Sequence, residues 1–262
     1  MAAHSALLPV SEKGWRRGFA NLLRKENGAW WRTRGWLIQT IIWVAILDGI
    51  LAIVLFVEGR ADPRSGGVGV FTFMSLMALA IGVIIIAKEA IIDEKRSGTA
   101  AWVLSKPVSR VAFILSKLIA HGLGLLVTGV VIPSTIAFIL LSAAGGSIPI
   151  GSFVAALSMV FLNVLFYLTL TLVLGTLFDG RGPVIAIPTA FALGYQLFIG
   201  LAPWLADITP WGFLGRAAGS VPTIAQVALG QAALPLAPIL ATALLCVLFM
   251  VVALWRFNRE EF

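Results

Sequence analysis

Charge is what this sequence has least of. Of its 262 residues only 12% are Asp, Glu, Lys or Arg, where a soluble domain carries about 25%. The apolar share is 60%, which excludes an ordinary water-soluble fold and leaves a polytopic membrane protein. Cysteine occurs once, as Cys246 within an apolar run. An intrachain disulfide is therefore excluded, and a small buried side chain is the expected role. The two histidines, His4 and His121, are far apart, so no metal site is expected. There is no G-x-x-x-x-G-K-[ST] phosphate loop, no H-E-x-x-H and no G-x-S-x-G. ATP binding through such a loop and the matching hydrolase chemistries are thus not expected. The opening MAAHSALLPVSEKGWRR has no apolar core ahead of its basic residues and does not read as a cleaved signal peptide. No internal repeat, soluble domain or low-complexity linker is visible.

What is present is long apolar runs. A helix crossing a ~30 Å hydrocarbon layer needs about 20 such residues. Six segments qualify, at about 36–57, 67–87, 111–141, 152–177, 183–203 and 232–255. An even number puts both termini on one side. Of the 19 Lys and Arg residues, sixteen fall in the N-terminal arm, the 88–117 stretch, the 178–182 loop and the C-terminal tail; only Arg60, Arg64 and Arg216 fall on the other side. The positive-inside rule then makes the termini and the 88–117 stretch cytoplasmic. The formal net charge of +7 is explained by topology and anionic lipid rather than by nucleic acid.

Residues 14–34 place Trp15, Phe19, Leu22, Leu23 and Trp30 at helical spacing, with Arg16, Arg17, Arg24 and Lys25 between them. The spacing predicts a helix lying in the membrane interface. Residues 204–231 are too apolar for a free loop and too broken by Gly and Pro to span, so a re-entrant or interfacial extracytoplasmic segment is expected. Inside the spans, Asp48 is a functional candidate because an intramembrane acid is costly. Asn163, Tyr167, Tyr195 and Gln196 are candidates for a pathway or a subunit interface, with interhelical hydrogen bonding as the plainer role. Asp179 and Arg181 form a tight inner turn. Pro188, Pro235 and Pro238 are expected to kink or begin helices.

One charged island interrupts the apolar runs: DEKRSGTAAWVLSKPVSR, residues 93–110. Glu89, Asp93 and Arg96 share a helical face. Ser97-Gly98-Thr99 breaks that helix, Thr99 is placed to cap a new one over 100–105, and Pro107 blocks its continuation. Ser109 is placed to cap the third span. The expected product is a helical knuckle showing Trp102, Val103 and Leu104 at its tip, and an exposed apolar tip of this kind marks a docking surface.

An acidic helix end, SGT, a short apolar helix and LSKPVSR together resemble the ABC-2-type export permeases, the membrane subunits of ATP-binding-cassette transporters. A basic helix before six spans, a broken outer stretch before the last span and the ending WRFNREEF are similar to that family's layout over nearly the whole chain. The resemblance implies an all-α membrane protein with 1–262 as a single transmembrane domain, an N-terminal elbow helix and a coupling helix within 93–110. It implies a coupling interface drawn from Glu89, Asp93, Glu94, Gly98, Thr99, Trp102, Leu104, Ser105, Pro107 and Arg110. Further, it implies a separate ABC ATPase that carries the ATP and Mg, a second permease subunit, identical or related, and a bacterial or archaeal cytoplasmic membrane. The chain itself is expected to be non-catalytic and to bind no cofactor or metal. The competing expectation is a stand-alone secondary carrier or channel, which leaves the Trp102 knuckle unexplained.

Overall fold

The computed structural model describes residues 14–57, 62–145, 147–217 and 220–259. Arg60, His4, Lys13 and the final residues 260–262 lie outside them. Among the described residues every regular element is a helix.

After a 3₁₀ turn at Gly14–Arg16, helix α1 (Phe19–Trp31) leads into the first span. That span is α2 (Gly35–Trp43) joined to α3 (Gly49–Phe56) through a π-helical stretch, Val44–Asp48. The second is α4 (Pro63–Ala87), prolonged by α5 (Glu89–Arg96) and followed by the short α6 (Thr99–Leu104). The third joins α7 (Arg110–Leu125) to α8 (Ile132–Gly145) across a second π-helical stretch, Leu126–Val131. Then come α9 (Ile150–Leu177), the pair α10 (Arg181–Leu193) and α11 (Tyr195–Leu201), the small α12 (Leu205–Ile208) and α13 (Thr223–Ala228), and finally α14 (Leu236–Asn258).

Five of these helical stretches are long and apolar enough to cross a membrane, and the α10–α11 pair makes a sixth if it is one broken span. The chain is therefore a polytopic all-α membrane protein. Burial ranks the spans: α9 is 72% buried, whereas the first and last spans are 28% and 22%. So α9 is the central post, packed against α14, α4 and α10. The outer faces of the first and last spans, with Ile41, Phe56, Leu244 and Val247 exposed, remain for lipid or another chain.

The α10–α11 bend is 57° and sits at Gly194, not at Pro188, which lies inside α10. A side chain at Gly194 would strike the Ala190 carbonyl oxygen and the Phe198 ring, so glycine permits the turn there. Beyond the bend, Trp211 is buried and stacks on Phe191 (4.4 Å) and Phe198 (5.8 Å). Helix α13 packs on α9 and α4. Of the apolar residues that make 204–231 unfit for a free loop, Trp211, Phe213, Leu214, Ile224 and Val227 are absorbed by the bundle, while Trp204, Ile208 and Val221 stay exposed.

Helices in lipid associate by close packing rather than by a hydrophobic gain, and small residues allow it. Trp43 lies across Gly82 of α4, where a Cβ would stand 2.1 Å from the indole. In the same way Trp30 of α1 covers Gly124 of α7, at 2.5 Å. Both rings are buried, and a Cβ at either distance must push its indole out of this seat. The gain of about 1 kcal/mol in helix propensity from Gly to Ala is outweighed by about 1–3 kcal/mol of overpacking. Gly82→Ala is expected to lower the thermal midpoint of the purified protein, and Trp43→Phe in the same chain to recover part of the loss. A midpoint at or above wild type for Gly82→Ala alone contradicts this packing.

Candidate functional site

The charged island folds as a knuckle on the end of the second span. At the end of α5, Ser97 N–H donates to the Asp93 carbonyl (2.9 Å), and Gly98 turns with φ 70°. That left-handed conformation suits glycine, so Gly98 occupies the cap position of α6. Thr99, expected as the cap, is instead the first helical residue, its hydroxyl 2.8 Å from that of Ser97. In a helix of six residues, positions three apart share a face. Ala100 and Val103 accordingly turn inward and are buried, and Leu104 is half-buried against the core. The expected three-residue tip reduces to Trp102, which is 65% exposed. Lys106 lies 5.1 Å over its ring, and the Ser105 hydroxyl donates to the Trp102 carbonyl. Gly98, Ser105 and Pro107 of the same knuckle are also exposed, and Glu89, at the start of α5, is exposed beside a cavity lined by Glu94 and Lys117.

The knuckle is held at its base by several clamps. Ser109 caps α7 by accepting from Ala112 N–H (2.9 Å) and donates to the Trp15 carbonyl. Ser109 N–H donates to the Arg17 carbonyl, and Gly18, at φ 78°, packs so closely on Val108 that a Cβ would sit 2.8 Å away. Arg110 donates to the Phe257 carbonyl at the end of α14 (2.7 Å), and Phe257 stacks on Phe113. The α9–α10 turn adds Asp93–Arg181 (2.5 Å) and Lys95–Asp179 (2.8 Å). The Lys95 hydrogen bond holds the Asp179 carboxyl below its ordinary range.

Beneath the knuckle lies a charge cluster that sequence reading does not find. Helix α1 docks on α7 through Leu22, Glu26 and Trp30, all buried. The Glu26 carboxylate meets Lys117 Nζ at 3.2 Å, and Lys117 also meets Glu94 at 3.1 Å. Lys25 closes the group, 2.7 Å from Glu94 and 3.5 Å from Glu26. The Lys117 side chain is only 2% exposed. Burial alone would raise the Glu26 carboxyl, but Lys117 and Lys25 pull it below its ordinary 4.5. Burial likewise works to lower Lys25, and Glu94 and Glu26 more than offset it, so its ammonium ends above its ordinary 10.5. The signal was present in Leu22-Glu26-Trp30: an acid at i+4 on an apolar stripe needs a buried partner.

Of the residues expected on the interface, Asp93, Glu94 and Arg110 are therefore occupied inside the subunit. Glu89, Gly98, Trp102, Ser105 and Pro107 face outward, and Thr99 and Leu104 are half-buried. The five residues considered for a pathway do not converge. Asn163 donates to the Leu76 carbonyl and is buried. Tyr167 is buried between Phe166 and Phe191. Asp48 is buried at the end of the first π stretch, both carboxylate oxygens without a hydrogen-bond partner. Tyr195 and Gln196 share a hollow of about 240 Å³ with Phe73 and Met74. His121 bonds the Lys117 carbonyl and meets Trp30 edge-on. Among the described residues no group of three His, Cys, Asp or Glu is placed to hold a metal.

A bundle of five to six apolar spans carrying one clamped, outward-pointing knuckle defines an integral membrane protein. The family model for "ABC-2 family transporter protein" matches residues 20–262, nearly the whole chain. This chain belongs to that family and is a permease component of an ABC transporter. No match was found among curated proteins.

Proposed function

We propose that this chain is the permease subunit of an ABC exporter, and that α6 is the coupling helix through which a separate ATPase drives it. The observation that carries the reading is the combination at Trp102: a large aromatic 65% exposed on a helix whose two ends are pinned to α1, α7, α14 and the α9–α10 turn. An exposed indole of this kind is an interface anchor. A pinned mount lets force applied at the tip reach four spans as a rigid displacement.

The remaining parts follow. The knuckle end, with sixteen of the nineteen basic residues, lies in the cytoplasm by the positive-inside rule. ATP and Mg bind the partner, since this chain has no phosphate loop. A second permease subunit, identical or related, covers part of the exposed first- and last-span faces and completes the pathway. Helix α1 acts as the elbow between the interface and the knuckle, because Trp15 and Arg17 bond directly to Ser109. The test is ATP turnover and copurification of the two-subunit complex. Trp102→Ala is expected to weaken both while leaving the permease intact. Unchanged complex and turnover would remove the assignment of α6.

A further inference from the structure

Three polar links tie the α9–α10 turn to the knuckle. Asp93 of α5 meets Arg181, the first residue of α10, at 2.5 Å. Lys95 Nζ meets the Asp179 carboxylate at 2.8 Å, and Arg96 Nε donates to the Asp179 carbonyl at 3.1 Å. The acid of each side thus finds a base of the other. Exchanging neighbours would set Asp93 against Asp179 and Lys95 against Arg181, like charges in both places. The pairing therefore fixes one register between α5 and the turn. Local stability does not explain it. A cation at the start of a helix opposes the helix dipole, and Gly180 gives α10 no side-chain cap. Arg181 is out of place for α10 alone, and its carboxylate partner is 88 positions away in the chain. The Asp179 side chain is 90% exposed and that of Arg181 47%, and ion pairs so exposed add little to a fold.

What the links join is two distant ends of the molecule. From Arg181 to Leu193 α10 rises about 18 Å at 1.5 Å per residue, away from the knuckle. It ends at the 57° bend at Gly194. Close to that bend Phe191 of α10 stacks on Trp211 of the 204–231 segment at 4.4 Å. Helix α5 packs on α4, α6 and α9, and α10 packs on α4, α9 and α11, so Asp93–Arg181 bridges two helices whose packing partners otherwise differ at α6 and α11. We propose that Asp179 and Arg181 are positioning residues for transport: they lock α10 to α5, so that displacement of the knuckle moves α10 as a rod and is felt beyond the Gly194 bend. The proposal rests on α6 being the coupling helix. It adds a direct arm from that helix to the far end of the bundle, through two ion pairs that contribute direction rather than stability.

Electron paramagnetic resonance on the permease–ATPase complex in nanodiscs tests this without knowledge of the cargo. Cys246→Ser removes the native thiol, and Leu197→Cys places a nitroxide at an exposed position on α11, beyond the bend. ATP with orthovanadate is expected to change the nitroxide line shape in this parent chain. Arg181→Asp sets like charges against each other at the turn. It is expected to cut that change by on the order of fivefold, while complex yield and ATP turnover stay within about twofold of the parent, since an exposed pair adds little to the fold. Asp93→Arg in the Arg181→Asp chain rebuilds the pair in reverse and is expected to return most of the change. A parent with no line-shape change overturns the proposal, as does an undiminished change in Arg181→Asp or a reversed pair that restores nothing. Loss of the complex in Arg181→Asp also overturns it, because the turn would then only support the knuckle. The coupling reading fails separately: Trp102→Ala with complex and turnover unchanged removes both, whereas a failure confined to position 181 leaves α6 as the coupling helix.

Discussion

Lys117→Met is expected to be the most damaging single change in this chain. The lysine is one of two cations holding Glu26 and Glu94, and it is the buried one, at 2% side-chain exposure. Methionine fills most of the same volume, so little cavity forms. What remains is a buried carboxylate, Glu26, and a half-buried one, Glu94, held only by Lys25 at the surface. Removing one partner of a buried ion pair costs about 3–5 kcal/mol, enough to shift a midpoint on the order of 10 °C. The damage has a diagnostic remedy. Glu26→Gln in the Lys117→Met chain removes one stranded charge, and the double mutant is expected to be more stable than Lys117→Met alone. If the second substitution adds its own loss instead, the cluster is not coupled as described.

The same cluster fixes a pH window. The Glu26 carboxyl is depressed in the folded chain despite its burial, through Lys117 and Lys25. A depressed carboxyl contributes stability that is whole above its ordinary 4.5 and is lost as pH falls through the lower folded value. Lys25 is raised, so its share is whole below its ordinary 10.5 and is lost as pH climbs through the higher folded value. Thermal midpoints are therefore expected to hold a plateau between those limits and to fall on the acid side. In the Glu26→Gln, Lys117→Met chain the acid-side fall is expected to shrink.

The second large effect belongs to Trp102→Asp. Truncating an interface aromatic costs 2 kcal/mol or more, about thirtyfold in affinity. Replacing the indole by a carboxylate also leaves a charge to be desolvated on docking, which costs more. Stability of the isolated permease is expected to stay near wild type, because the ring is exposed and its main neighbour is the Lys106 ammonium. Affinity for the ATPase and transport are expected to fall together. Val103→Asp separates the two roles, since Val103 is buried: it is expected to destabilise the fold as well as coupling. A Trp102→Asp protein that is itself unstable would mean that the indole packs rather than docks.

The membrane class, the number of candidate spans and the knuckle were legible because they rest on local features. Runs of apolar residues are contiguous, and Gly98, Pro107 and Ser109 act on their immediate neighbours. The direction of side chains was less so. Val103 and Leu104 read as tip residues, yet the phase of a six-residue helix is set by what α6 packs upon. The inward use of Asp93, Glu94 and Arg110 was hidden for the same reason. Their partners are Arg181, Lys117 and the Phe257 carbonyl, 88, 23 and 147 positions away in the chain. The bend at Gly194 rather than Pro188 also depends on packing, here of Phe198 and Trp211. Glu26 was the one missed residue with a warning in its own spacing.

The most direct measurement is a site-specific crosslink from position 102. With Cys246→Ser removing the only native thiol, Trp102→Cys gives a single reactive site at the tip of α6. A short thiol-to-amine reagent applied to inside-out vesicles should join this residue to the ATPase subunit, and nucleotide should change the yield. Labelling of the same cysteine from the outside of intact cells, or vesicles that crosslink with the ATPase equally well from a buried control position such as Ala100→Cys, would contradict the account.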